Sequence, residues 1–253
     1  MGSTLQLIGE RLRQARETVG YTPEEVSQKL GITTDELFLF ESGRESPPIS
    51  LLRKLAKLYG VFVSYFYGID KVEGTAFTLL LDKAKELSLP PETISQVHRF
   101  IFLCKEIVKL RQRLGFPKPE IPYVDSQENL GELLEDIRIP VIRLPLGKKL
   151  ASAMVYDEEF GAFILVNSDC PDQNQLIAHE YAHILQGEKV HLNAIDCPKA
   201  MPQSKPPTSK VLWELVLSAV KHELISTSYA GDVLEVSPME IEEFLGNPNW
   251  LIF

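Results

Sequence analysis

The sequence predicts a mainly α-helical chain with a small β-sheet, an α+β class divided between an all-helical N-terminal domain and a larger C-terminal one. Three observations carry the helical part. Residues 3–68 hold several short amphipathic patterns, each closed by glycine; helix-compatible stretches follow over 73–89 and 91–114; and residues 176–187, LIAHEYAHILQG, form an apolar run with polar side chains at helical spacing. Apolar residues at i, i+3 and i+4 mark a half-buried helix, and glycine after the last turn marks its end. A chain of 253 residues has room for two domains that each bury a core.

The N-terminal patterns are IGERLRQARETVG, TPEEVSQKLG, TTDELFLFESG and SLLRKLAKLYGV, a compact helical domain over 1–70. Their order of helix, glycine turn and second helix, followed by Glu41-Ser42-Gly43-Arg44, resembles the Cro and lambda-repressor-like (XRE) helix-turn-helix family. The resemblance implies that the helix after the turn enters the major groove of operator DNA, with Thr33, Thr34, Asp35 and Leu39 at or near the reading positions and Arg44 on the DNA side. Charge argues against an easy polyanion surface, since phosphate contacts supply most of the affinity of such a module. Residues 1–70 hold eight Lys or Arg against nine Asp or Glu, and the reading helix carries Asp35 and Glu36 with no cation before Arg44. Arg11, Arg13, Arg16, Lys29 and Arg44 are expected to line one face and reverse the local sign. The alternative is a helix-turn-helix fold kept for dimerisation or partner docking.

Residues 71–116 read as a helical connector or dimer seam, in which Pro91 opens a long helix that Gly115 stops. FPKPEIPYV, with three prolines in nine residues, is then a stiff linker into a second domain over 117–253.

In that domain His179, Glu180 and His183 make an H-E-x-x-H pattern. Residues four apart stack on one helix face, so two imidazoles there can grip one metal ion with a carboxylate beside it. Zinc accepts neutral imidazole nitrogen and, in catalytic sites, keeps a water whose pKa it lowers toward ~7. Asp172 with Gln175 predicts a capping box at the start of this helix, and Gly187 the left-handed residue after its last turn. A third ligand is required. His191 fails the H-E-x-x-H-x-x-G-x-x-H template, because Gly187 and His191 each come one residue too late. A helix expected from about Lys210 to Ala230 supplies Glu214 and Glu223, about half a turn out of phase. Glu223 shares its face with apolar and small residues, while Glu214 lies near Lys210 and Lys221, so Glu223 is the expected ligand.

The stretch ELISTSYAGDVL from Glu223 resembles the E-x-x-A-x-x-F-A-x-x-L-L pattern that follows H-E-x-x-H in ImmA/IrrE-type metallopeptidases. The likeness spans roughly residues 125–240, with IPVIRLP, ASAMVYD and AFILVN similar to the short strands before the active helix. It implies a zincin-like domain with Zn²⁺ on His179, His183 and Glu223, Glu180 as catalytic acid/base, and a protein substrate such as a repressor. Ala182 departs from the family's usual glycine, and CPKAMPQSKPPTS inserts four prolines in thirteen residues, a loop or lid that pushes the third ligand further along. The competing expectation is a DNA-binding sensor whose peptidase-like domain holds metal, ligand or partner without cutting; a third is an adaptor that binds no DNA.

The remaining −8 of the chain's −9 charge falls in residues 71–253, which argues against that half binding nucleic acid or anionic lipid. No apolar run reaches a membrane span and no signal-peptide core opens the chain, so a cytoplasmic protein is expected. Cys104, Cys170 and Cys197, odd in number and without a C-x-x-C pair, are expected as reduced thiols. His98 and His222 are expected in structural or surface roles.

Overall fold

Paired caps and glycine stops set the first helices. Thr22 accepts a hydrogen bond from Glu25 N while the Glu25 carboxylate accepts from Thr22 N, and Pro23 fills the first turn, so α2 starts at Pro23 and runs to Leu30. Thr33 and Glu36 repeat the device for α3 (Thr34–Glu41). Around them lie α1 (Thr4–Val19), α4 (Ile49–Tyr59) and α5 (Val63–Phe66). The structure, a computed structural model, describes residues 4–69, 74–124, 129–195 and 209–246. It divides into two units, Met1–Val72 with Pro90–Phe102, and Glu73–Leu89 with Leu103–Phe253. The stretch expected as a connector holds α6 (Thr75–Glu86) and α7 (Pro91–Arg113), and is shared between the units.

In the first unit Leu12, Val19, Val26, Leu37, Phe40, Leu55, Tyr59 and Phe66 are buried together with Val97 and Phe100 from the first half of α7. Arg16 crosses this core to Glu41: Nε donates to Oε1 at 2.7 Å and Nη2 to Oε2 at 3.0 Å, and Nη1 donates to Tyr21 O. The bidentate fork compensates a carboxylate that is only 7% exposed. Helix α1 touches α3 at Gly9, where a Cβ would stand 2.7 Å from Gly43 N and Phe40 O. Only glycine permits that approach. His98 is buried with Nδ1 at 2.9 Å from Tyr59 O, the structural role expected of it.

The second unit adds α8 (Leu130–Asp136), β1 (Val141–Leu144), β2 (Ser152–Asp157), β3 (Gly161–Asn167), α9 (Gln173–Leu185), β4 (Val190–Asn193), α10 (Lys210–Lys221), α11 (Thr227–Leu234) and α12 (Pro238–Gly246). The sheet order is β1-β3-β2-β4, with β1 parallel to β3 and the other pairs antiparallel. The first three strands fall on the three segments expected; β4 was not anticipated. Strand β3 is buried along its whole length, as its unbroken apolar run requires. Leu134, Val141, Met154, Ile164 and Val166 pack with Ile177, Tyr181 and Ile184, which seats α9 on the sheet.

Several expectations are corrected. The capping box at Asp172 does not form: Asp172 makes no side-chain cap bond, and Gln175 is exposed. Gly187 does take the left-handed conformation, φ 79°. The single helix over 210–230 is two helices, because Glu223 adopts a left-handed φ of 57° and the Ser226 hydroxyl accepts from Tyr229 N to start α11. Cys104 is a free buried thiol, but Cys170 is disulfide-bonded, against the expectation that all thiols are reduced. An odd count and the lack of a C-x-x-C pair do not forbid one long-range pair. Cys197 and nearly all of the proline-rich insertion lie outside the described residues. Among the described residues no helix is long and apolar enough to cross a membrane.

Candidate functional site

Helix α9 carries His179 and His183 one turn apart, with ring centroids 4.8 Å from each other. The imidazole that joins them is His191, not Glu223. Gly187 reverses the chain after α9, and β4 returns alongside β2, where His191 pairs with Met154. This lays the His191 ring 3.7 Å from that of His183, nearly parallel at 12°, and 5.0 Å from that of His179. One ligand nitrogen from each of the three lies within 4.8 Å of the other two.

Two carboxylates orient this cluster. His183 Nδ1 lies 2.9 Å from Glu188 Oε1, and the same bond holds the Glu188 carboxyl below its usual range. His191 Nδ1 lies 2.9 Å from Glu180 Oε2, and Ser152 Oγ donates to Glu180 Oε1 at 2.6 Å. A carboxylate only accepts, so both imidazoles carry their proton on Nδ1 and leave the Nε2 lone pair open. Histidines held in this way by carboxylates are the usual arrangement of metal ligands. The donor set therefore fits a borderline-soft divalent cation that favours nitrogen.

Glu180 is 0% exposed, and among the described residues His191 is the ion-pair partner recorded for it. Glu223 lies exposed in the turn after α10 and is not brought into the histidine cluster; Glu214 is half-buried on α10. The break at 222–226 takes Glu223 off the helix whose phase would turn it toward the apolar face. His222 is exposed, with Nδ1 at 2.8 Å from Ser218 O.

In the first unit α2, the Gly31 turn and α3 form the helix-turn-helix. Thr33, Thr34 and Asp35 are exposed, as a reading surface requires. The side chains of Thr33 and Glu36 bond each other and the helix N-terminus, which lowers the Glu36 pKa. Leu39 is half-buried, whereas Phe38 is 55% exposed, with the Arg44 guanidinium 5.6 Å from its ring centroid.

A helix-turn-helix domain family matches residues 7–62. The HTH-type transcriptional regulator ImmR of Bacillus subtilis (strain 168) is 38% identical over 76 residues, 30% of this chain and 60% of that protein. From the same organism, the uncharacterized HTH-type transcriptional regulator YobD is 30% identical over 103 residues, 37% of this chain and 92% of the relative. The SPbeta prophage-derived regulator YonR is 31% identical over 88 residues, covering 35% and 74%. The chain belongs to the HTH-type transcriptional regulators. It spans 60% of the length of ImmR, and no solved structure matches it significantly.

Leu37, Phe40 and Glu41 form the buried side of α3, which turns Phe38, rather than Leu39, outward. Among the cations expected on one face, Arg16 is buried under Glu41, and Lys29 bonds Glu92 at 2.7 Å. Arg13 and Arg44 are exposed.

Proposed function

We propose that this regulator binds operator DNA through α3 and carries in its second unit a zinc-dependent peptidase centre on His179, His183 and His191. The observation that carries the reading is the convergence of three imidazoles, two of them held through Nδ1 by Glu180 and Glu188. Three protein ligands leave one position of a tetrahedral site for water or substrate, the pattern of catalytic rather than structural zinc. When bound, zinc lowers the pKa of such a water toward ~7 and polarises a carbonyl. The three histidines would hold the ion, and Glu188 would keep His183 in the ligating tautomer. Glu180 accepts the proton on the lone pairs that Ser152 and His191 leave. The substrate class is a protein, with a repressor as the candidate suggested by the DNA-binding half.

A metal-sensing regulator that cuts nothing is the second reading, favoured by one observation: Glu180 is fully buried with both oxygens engaged. Zinc-loaded full-length protein incubated with candidate repressors separates the two. Cleavage that disappears in His183→Ala and in Glu180→Gln supports the peptidase. Absence of cleavage, together with operator affinity that varies with zinc, supports the sensor. A low-salt gel shift that detects no binding to promoter DNA would contradict the DNA-binding half of both.

A further inference from the structure

Residues directly opposite on paired strands share a face, and residues two apart along a strand do so too. On β2 Met154 faces the core with Ile177, Tyr181 and Ile184 of α9. Ser152 is two residues away, and His191 is the β4 partner of Met154. The sheet face that seats α9 therefore carries a serine and a histidine among apolar neighbours, and both reach the same side chain. Ser152 is 0% exposed and its hydroxyl donates to Glu180 Oε1 at 2.6 Å, while His191 Nδ1 donates to Oε2 at 2.9 Å.

We infer that Ser152 is a positioning residue for the zinc ligand His191, acting through Glu180. A buried carboxylate with no bonded neighbour would be costly, and one held by a single donor can rotate about its terminal torsion. With Oε1 fixed by Ser152, Oε2 stands at one place, and His191 can satisfy it only with the proton on Nδ1, which leaves Nε2 as the nitrogen free to ligate beside His179 and His183. Strand β2 thereby sets the tautomer of a ligand on β4 through a side chain of α9. Glu188 does the same for His183 from the more exposed side, so one oriented ligand is reinforced from within the sheet and the other from the surface.

The inference rests on the zinc site proposed above and can fail without it. Zinc affinity of full-length wild type and Ser152→Ala, measured by competition with a chromophoric chelator, is expected to fall on the order of 10-fold in the variant. The cobalt(II) absorption spectrum is expected to change with it, whereas a merely structural role of the buried Ser152–Glu180 bond would lower the melting temperature of the metal-free protein and leave the cobalt spectrum as in wild type. Wild type that binds zinc with the same affinity and cobalt spectrum as Ser152→Ala would overturn the role of Ser152 alone. Should the variant not fold, imidazole ¹⁵N spectra of zinc-loaded wild type decide the matter: His191 with a proton on Nδ1 is expected, and His191 ligating through Nδ1 overturns the inference. Wild type that takes up no zinc removes the site reading and this inference together.

Discussion

Two buried glutamates, one in each unit, show how partner chemistry separates a structural rivet from a functional relay. Glu41 in the first unit and Glu180 in the second are 7% and 0% exposed, each fixed through both oxygens. Glu41 faces Arg16, a cation that keeps its charge at all accessible pH and ligates nothing. Glu180 faces a hydroxyl and an imidazole whose other nitrogen stays open. The first arrangement can only hold helices together; the second links a residue of the sheet to a histidine of the cluster.

The comparison breaks most readily at Arg16. Arg16→Ala leaves buried Glu41 with only Arg13, whose Nε stands 3.8 Å from Oε2, and is expected to cost about 3 kcal/mol, read from chemical denaturation followed by a first-unit probe. If the variant unfolds within about 1 kcal/mol of wild type, the pair is not the rivet described. A third buried carboxylate, Glu135, sharpens the contrast. It accepts from Val141 N at 2.8 Å, Val211 N at 2.7 Å and Ser209 Oγ at 3.2 Å, and has no fork of its own. Burial pushes its pKa up from 4.5 to about 7. Because the folded pKa is raised, the folded state binds more protons across that window, so stability of the second unit declines as pH rises from 4.5 to about 7. The fall is expected to approach roughly 3 kcal/mol. Urea midpoints across this pH range should show a slope in wild type and a flatter line in Glu135→Gln; equal slopes would remove Glu135 from the account.

Gly9→Ala is expected to destabilise by about 1–3 kcal/mol, because the new methyl meets Phe40 O and Glu41 O beside the rivet. A neutral melting shift would mean that α1 and α3 separate without cost. The smallest expected effect is at Arg44: its loss should reduce the slope of operator affinity against salt by about one, across operator sequences alike. A loss confined to one base position would instead make Arg44 a base reader.

The helices of the first unit were legible because glycine closes each short amphipathic pattern, while the capping pairs Thr22-Glu25 and Thr33-Glu36 that start α2 and α3 emerge only in the structure. The β1–β3 segments were legible only through the resemblance of IPVIRLP, ASAMVYD and AFILVN to the strands of a known family. Strand β4 was not, since VHLN is four residues long and its burial does not alternate. The same blind spot hid His191: a template written for a fixed loop excludes a histidine that a short strand brings to His179 and His183 from one position later. Glu223 lies outside the cluster for a different reason. Its assignment extrapolated helical phase through His222–Ser226, where local caps outweigh helix continuity.

Zinc stoichiometry of full-length His191→Ala beside Glu223→Ala, measured by mass spectrometry after metal loading, tests the three-histidine centre most directly. The expected result is loss of bound zinc in His191→Ala with Glu223→Ala at the wild-type level. Retention of zinc in His191→Ala and its loss in Glu223→Ala would contradict the centre described.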